Sequence, residues 1–365
     1  MHIEQNPYHE TKHSMLRRCI GWNYKGRGIY MITLVARDRK AVLGKLNGAR
    51  EEAHLVPSKL GESVSSQIDA IPSYYPQIEI IAKQLMPDHL HMLLFVHEPL
   101  TVHIGRVIDG FKVGTNRAYR QINGLRSNSA NTELADMNIP HSRSCVSAVS
   151  AERSYLPGLW EEGYHDRILT HKGQLGNMKR YILDNPRRLA LKRANPDLFK
   201  IRQQTNICGV ACTAMGNMFL AEYPQRQVLQ CSRRLRQAEI DAKREECLLE
   251  AEKGTIFISA AISEGEKQIC RALREAGFPL IVLLSGGFPT PDKPHYQYYK
   301  PNGVYFEACA EGRLLLIEPD KSLSEQPEIA EQVVAKAGEI PHDCLRYKFL
   351  ALNAIAEQIS KYQPQ

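Results

Sequence analysis

The chain has 365 residues, 43% of them hydrophobic and 24% charged, with a formal net charge of +7 at pH 7. That length is long for a single core, so two domains are expected. No apolar run approaches the ~18 residues of a membrane span. Nine scattered cysteines, with Cys208 and Cys212 unaccompanied by a second pair at zinc-site spacing, argue against a zinc ribbon and read as reduced thiols.

The charge is unevenly spread: residues 1–200 hold 28 Lys+Arg against 19 Asp+Glu, leaving 19 against 21 for the other 165. A basic first half beside a near-neutral second half suggests a polyanionic partner, most simply nucleic acid, or else ordinary solubilising cations. The N-terminal residues lack the basic-then-apolar pattern of a signal peptide, so the expected setting is the cytoplasm, without membrane contact.

Residues 1–27 are polar, with a basic cluster at Arg17, Arg18, Lys25 and Arg27. Residues 29–36 are rich in β-branched and aromatic side chains, which predicts a first strand. A helical or mixed stretch is expected to about residue 70, and Pro72 and Pro76 then mark a turn. Residues 78–85 and 89–96 predict one or two further strands, with Pro87-Asp88 as a bend between them. Pro87 suits an edge or a bulge. Residues 101–122 show helical spacing of Ile104, Val107, Ile108 and Phe111. Residues 123–153 are Ser/Asn-rich and are expected to be a flexible insertion. A strand is expected over 159–169, then a helix over 173–184 that stops near Asn185-Pro186.

That order of elements predicts an α+β, ferredoxin-like (split βαβ) domain over residues 1–204. From 205 to 365, apolar strands at 227–231, 255–259, 279–284 and 313–317 alternate with helices, and residues 326–362 are mostly helical. This predicts an α/β, Rossmann-like domain built on a parallel, doubly wound sheet.

Within 89–96, His89 and His91 lie two residues apart and therefore share one face of a strand, while Leu90, Met92 and Leu94 face a core. They are either incidental histidines of a half-buried strand or ligands of a divalent metal. Tyr181 and Asn185, four apart, share a helix face. A phenol and an amide oxygen beside a metal held by two imidazoles form a usable site for phosphoryl transfer. Read alone, Tyr181 is a solvated helix residue and Asn185 a helix stop.

Five segments in order resemble the single-tyrosine HUH transposases, in particular the REP-associated tyrosine transposases. They are Arg17-Arg18 with Gly21-Trp22-Asn23-Tyr24 before Tyr30-Met31-Ile32-Thr33-Leu34; Met86-Pro87-Asp88-His89-Leu90-His91; Phe111-Lys112; residues 159–169; and residues 180–188. The resemblance implies His89, His91 and Asn185 as ligands of Mg²⁺ or Mn²⁺, Tyr181 as nucleophile, and single-stranded or hairpin DNA as substrate. It implies a metal-dependent endonuclease and strand transferase working through a 5′-phosphotyrosine. A homodimer, as in related transposases, and a monomer, as REP-associated members can be, both remain open. A hairpin-DNA-binding relative that does not cut is the alternative.

Lys112, Arg117, Arg120, Arg187 and Arg188 are candidate phosphate contacts, or a solvated helix face. Through residues 257–260, 262–266 and 284–288, which contain Ser259, Ser263, Gly265, Ser285, Gly286 and Gly287, the second half distantly resembles the Rossmann-like domains of DNA-processing protein A and lysine-decarboxylase-like proteins. These would be ligand loops at strand ends, which makes a nucleotide-binding enzyme or sensor the rival from another class.

Overall fold

The computed structural model describes residues 19, 21–124, 158–288, 303–320, 327–342 and 344–362. Arg17, Arg18 and most of the insertion expected at 123–153 lie outside the described residues. The chain divides into two compact units, Met1–Ala190 and Leu191–Gln365. The division falls some fourteen residues before the boundary expected at 204.

The first unit runs β1 (Gly28–Val35), β2 (Gly44–Asn47), β3 (His54–Pro57), α1 (Lys59–Asp69), α2 (Ile71–Tyr74), β4 (Ile78–Leu85), β5 (His89–Val96), α3 (Ile104–Ile122), β6 (His165–Leu169), α4 (Gln174–Leu183) and into α5 (Asn185–Ala194). The sheet order is β4-β5-β1-β6, and every neighbouring pair is antiparallel. The strands alternate as a pleat requires. Tyr30, Ile32, Leu34, Leu90, Met92 and Leu94 pack on one face under α1 and α3. Met31, Ala82 and Leu93 lie on the other face, under Ile182 of α4. An irregularity between Ile80 and Ala82 resets β4 so that Ala82 and Gln84 oppose Leu93 and His91.

The stretch before residue 70 is mixed, as expected: a hairpin of β2 with β3, whose short strands carry no alternation long enough to recognise, precedes α1. Several sequence expectations are corrected. Pro72 sits in the first turn of α2, where its missing N–H costs nothing. Pro87 lies in the β4–β5 turn, its carbonyl accepting from Leu43 N at 3.0 Å. The histidine strand it precedes is interior, flanked by β4 and β1. Of residues 159–169 only 165–169 form a strand; Trp160 makes a single bridge with Ala36.

The helical path also does not end at Pro186. α5 begins at Asn185, directly after the Asp184 cap of α4. Pro186 has no N–H to give the Ile182 carbonyl. The Asn185 amide instead donates to the carbonyls of Tyr181 (3.0 Å) and Ile182 (3.3 Å).

The second unit comprises β7 (Arg202–Ile207), β8 (Val210–Gly216), β9 (Arg226–Val228), α6 (Gln237–Glu252), β10 (Ile256–Ser259), α7 (Glu264–Glu275), β11 (Leu280–Leu283), α8 (Gly303–Ala310), β12 (Leu314–Pro319), α9 (Pro327–Ala337) and α10 (Leu345–Lys361). Its sheet order is β7-β8-β12-β11-β10-β9; β9 to β12 are parallel, while β8 and β7 run antiparallel. α6, α7 and α8 pack on one face, α9 and α10 on the other.

The parallel strands follow one another in chain order. Right-handed crossovers that always step the same way leave their helices on one face, so the winding never reverses. The doubly wound expectation is corrected on this point: alternation of strands and helices does not encode strand order. β7 and β8 escaped notice because their sequences are largely polar or small. No helix among the described residues is long and apolar enough to cross a membrane.

Candidate active site

The interior position of β5 builds the site. Opposed residues of an antiparallel pair share a face, and the register sets Gln84 against His91, His91 against Thr33, and Thr33 against His165. One row of side chains therefore crosses all four strands on the face opposite α1 and α3. His89 stands one pleat along, against Val35. The two imidazole centroids are 4.9 Å apart, edge to face.

Each ring is held through Nδ1. His89 Nδ1–H donates to Asp88 Oδ1 at 2.7 Å. Nδ1 of His91, a residue only 6% exposed, shares a 2.8 Å hydrogen bond with Thr33 Oγ1. Asp88 is also paired with Arg39 at 3.3 Å. The hydrogen bond from His89 holds the Asp88 carboxyl below the usual carboxylate range; burial opposes this, and the charges of His89 and Arg39 reinforce it.

α4 crosses this face. Its inward positions are Met178, Tyr181 and Ile182, packed on Met31, Ala82 and Leu93. The Tyr181 ring lies 6.1 Å from that of His91. The Arg188 guanidinium sits 5.5 Å from the Tyr181 ring centroid, a cation–π distance. Arg188 is 8% exposed and reaches Asp184 at 4.0 Å.

The structure thus brings His89, His91 and Tyr181 onto one surface, with Asn185 one turn beyond the tyrosine. Another tyrosine of the resembling segments, Tyr164, is buried in the core on the opposite face.

The donor set can be tested against the implied cation. Among the described residues no group of three or more His, Cys, Asp or Glu could hold a metal. A site here would rest on two imidazoles and an amide oxygen. The chemistry fits a divalent ion: each imidazole has its Nδ1 fixed by a neighbour, as ligating histidines do, and the NH₂ group of Asn185 is spent on α4 carbonyls, which leaves its oxygen as the donor. That set also admits Zn²⁺ or Co²⁺.

The predicted phosphate contacts are placed differently. Lys112, Arg117 and Arg120 belong to α3, on the face away from the histidines. The Lys112 ammonium donates to the carbonyls of Glu161 (2.9 Å) and Gly163 (3.0 Å), and burial lowers its pKa. With Asn116, whose oxygen accepts from Leu159 N, and Thr115, whose oxygen accepts from Trp160 Nε1, it anchors residues 159–163 and so delivers β6 to the sheet. Arg187 forks onto Asp184 (2.6 and 3.1 Å) and reaches Glu51 at 3.7 Å. Thr33, Gln84, Asp88 and Arg39 had no assigned part; only strand register, which a single sequence does not display, puts Thr33 beside His91.

In the second unit, Ser259 is fully buried and its Oγ accepts from Ala261 N at 3.1 Å. Ser263 caps α7 in a capping box with Glu266. The buried Glu266 carboxylate also accepts from the N–H groups of Cys231 (3.0 Å) and Ile262 (2.7 Å), tying two strand-end loops together. Ser263 and Gly265 line a cavity of about 410 Å³ with Ser232, Arg233, Gln237 and Gln268. Ser259, Ser285, Gly286 and Gly287 do not line it. Gly287 has φ +75°, and a Cβ there would stand 2.0 Å from Glu318 Oε1.

The fold and site define an α+β unit carrying a histidine pair, a tyrosine and an amide on one sheet face, joined in sequence to an α/β unit. No family model matches the chain. An uncharacterized protein of Haemophilus influenzae (strain Rd) is 19% identical over 165 residues, covering 45% of this chain and 83% of that protein. A REP-associated tyrosine transposase bound to a REP hairpin is similar at 14% identity and a TM-score of 0.28, over 45% of this chain and 70% of that one. A putative transposase from Deinococcus radiodurans R1 is similar at 14% identity and a TM-score of 0.26, over 46% of this chain and 96% of that one.

Proposed function

We propose that the first unit is a metal-dependent nuclease and strand transferase acting on single-stranded or hairpin DNA, with Tyr181 as nucleophile. The observation that carries this reading is the approach of the Tyr181 ring to within 6.1 Å of His91, on the face that also presents His89. The strand order β4-β5-β1-β6, with β1 and β4 parallel about an antiparallel β5, supports the ferredoxin-like reading of this unit.

His89, His91 and Asn185 would hold Mg²⁺ or Mn²⁺, which supplies charge neutralisation at the scissile phosphate. Asp88 and Thr33 keep the two imidazoles in a fixed orientation. α4 carries the phenol on a rigid helix anchored by Ile182, and the Arg188 guanidinium stacked on the ring restricts its swing.

The Tyr181 hydroxyl loses its proton to solvent and its oxygen bonds to phosphorus. The P–O3′ bond breaks, and the departing 3′ oxygen takes a proton from water. The products are a 5′-phosphotyrosine and a free 3′-OH. Attack by a 3′-OH on the phosphotyrosine reverses the step and rejoins strands with no external energy source.

The test is incubation of the full chain with a labelled single-stranded hairpin oligonucleotide, with Mn²⁺ or with EDTA. A denaturant-stable protein–DNA adduct that requires the metal and disappears in Tyr181→Phe is expected. Tight hairpin binding with no adduct on any hairpin would transfer the assignment to the non-cutting alternative.

A further inference from the structure

We infer that Arg167 of β6 holds a backbone phosphate of the DNA strand that crosses the histidine face; the inference rests on the nucleic-acid reading above. β6 is an edge strand paired with β1 alone. Its register sets Arg167 against Met31 and His165 against Thr33. Met31 lies on the face covered by Ile182, and Thr33 bonds His91. Arg167 therefore projects from the same face as both histidines and Tyr181. The intervening Ile168 enters the opposite core, as alternation requires.

Three properties set Arg167 apart from Arg39, Lys112, Arg187 and Arg188. It is exposed, whereas Arg188 is buried and Lys112 is turned to carbonyls. Among the described residues it has no salt-bridge or hydrogen-bond partner, whereas Arg39 and Arg187 are committed to Asp88 and Asp184. It also stands at the edge of the covered area: α4 lies over Met31, Ala82 and Leu93 of β1, β4 and β5, while His165 and Arg167 on β6 remain exposed. From strand spacing and rise, its Cα is about 12 Å from that of His91. A side chain of that reach meets a phosphate neighbouring the scissile one, not the scissile one itself.

A guanidinium suits this task because it is always charged and can bond two phosphate oxygens at once. Holding the strand beside the reacting phosphate converts the tyrosine attack into an oriented, effectively unimolecular step. The competing account is that Arg167 is an edge guard, a charge that keeps β6 from pairing with another chain. The two accounts differ in what removal of the charge changes.

The experiment measures binding of a labelled single-stranded hairpin oligonucleotide by the full chain in EDTA, over a range of NaCl concentrations. EDTA keeps binding apart from cleavage. Arg167→Ala is expected to bind roughly tenfold more weakly, with the slope of log affinity against log salt reduced by about 0.7, the value for one phosphate contact on a single strand. Arg167→Lys should keep the slope and recover part of the affinity. Arg106→Ala, an exposed cation on α3, should leave both unchanged, and the melting temperature of Arg167→Ala should match the parent.

An Arg167→Ala slope equal to the parent's would overturn the inference, as would equal losses in Arg167→Ala and Arg106→Ala. Self-association of Arg167→Ala with unaltered DNA binding would establish the edge guard. An altered slope in a protein that forms no tyrosine adduct would sustain the Arg167 contact while removing the nuclease reading. Absence of DNA binding by the parent would remove both.

Discussion

Thr33→Val is the most informative single substitution in the site. It preserves shape and strand preference but deletes the hydroxyl 2.8 Å from His91 Nδ1. His91 is 6% exposed, so the orphaned ring nitrogen cannot recover its partner from bulk water. Leaving a buried polar atom unsatisfied costs about 1–3 kcal/mol, and the low end applies because Thr33 itself is half-buried. A loss of about 1–2 kcal/mol in urea unfolding of the metal-free protein is expected, with an unchanged m-value.

The same hydrogen bond orients His91, so the effect on a cation should exceed the effect on folding. Removing the outer-shell partner of a ligating histidine typically weakens metal binding 10- to 100-fold. Thermal-shift titration with Mn²⁺ reads this directly: the Mn²⁺ concentration that half-saturates the shift should rise by that factor in Thr33→Val. A variant with the parent's stability and the parent's Mn²⁺ response would refute the reasoning, because the Thr33–His91 bond would then neither satisfy nor orient the ring.

Three further outcomes follow from the same coordinates. Asp88 has a lowered pKa in the folded protein, so its contribution to stability is present above the unfolded carboxylate pKa of about 3.9 and is lost as pH falls through the lower folded value; Asp88→Asn should flatten acid unfolding curves over that window. Gly61→Ala would place a Cβ 2.0 Å from the Leu43 carbonyl oxygen and should cost about 1–3 kcal/mol by overpacking, seen as a lowered urea midpoint. Lys112→Met removes the ammonium that binds the Glu161 and Gly163 carbonyls; it should lower the melting temperature yet leave the salt slope of DNA binding at the parent's value.

The histidine pair was legible because a strand has period two: Leu90, Met92 and Leu94 alternate with His89 and His91, and the structure places the two sets on opposite faces. Tyr181 and Asn185 were legible as a pair on helical spacing, although Asn185 opens α5 instead of closing α4. What escaped depends on pairing. Thr33, Gln84 and Arg167 take their places from register, which no local window contains. Lys112 looked like a surface cation because sequence does not show that residues 159–163 return to cover it. Strand order in the second unit escaped for the same reason: β7 and β8 extend the sheet on the far side of β12, and their composition announces neither.

The central claim is that Tyr181 attacks phosphorus. The most direct measurement is peptide mapping by mass spectrometry after reaction of the full chain with a single-stranded hairpin oligonucleotide and Mn²⁺, followed by nuclease trimming. The account predicts a nucleotide 5′-phosphate attached to the peptide bearing Tyr181, and a free 3′-OH on the released strand. A nucleotide attached to any other residue, or cleavage with no protein-bound phosphate, would contradict it.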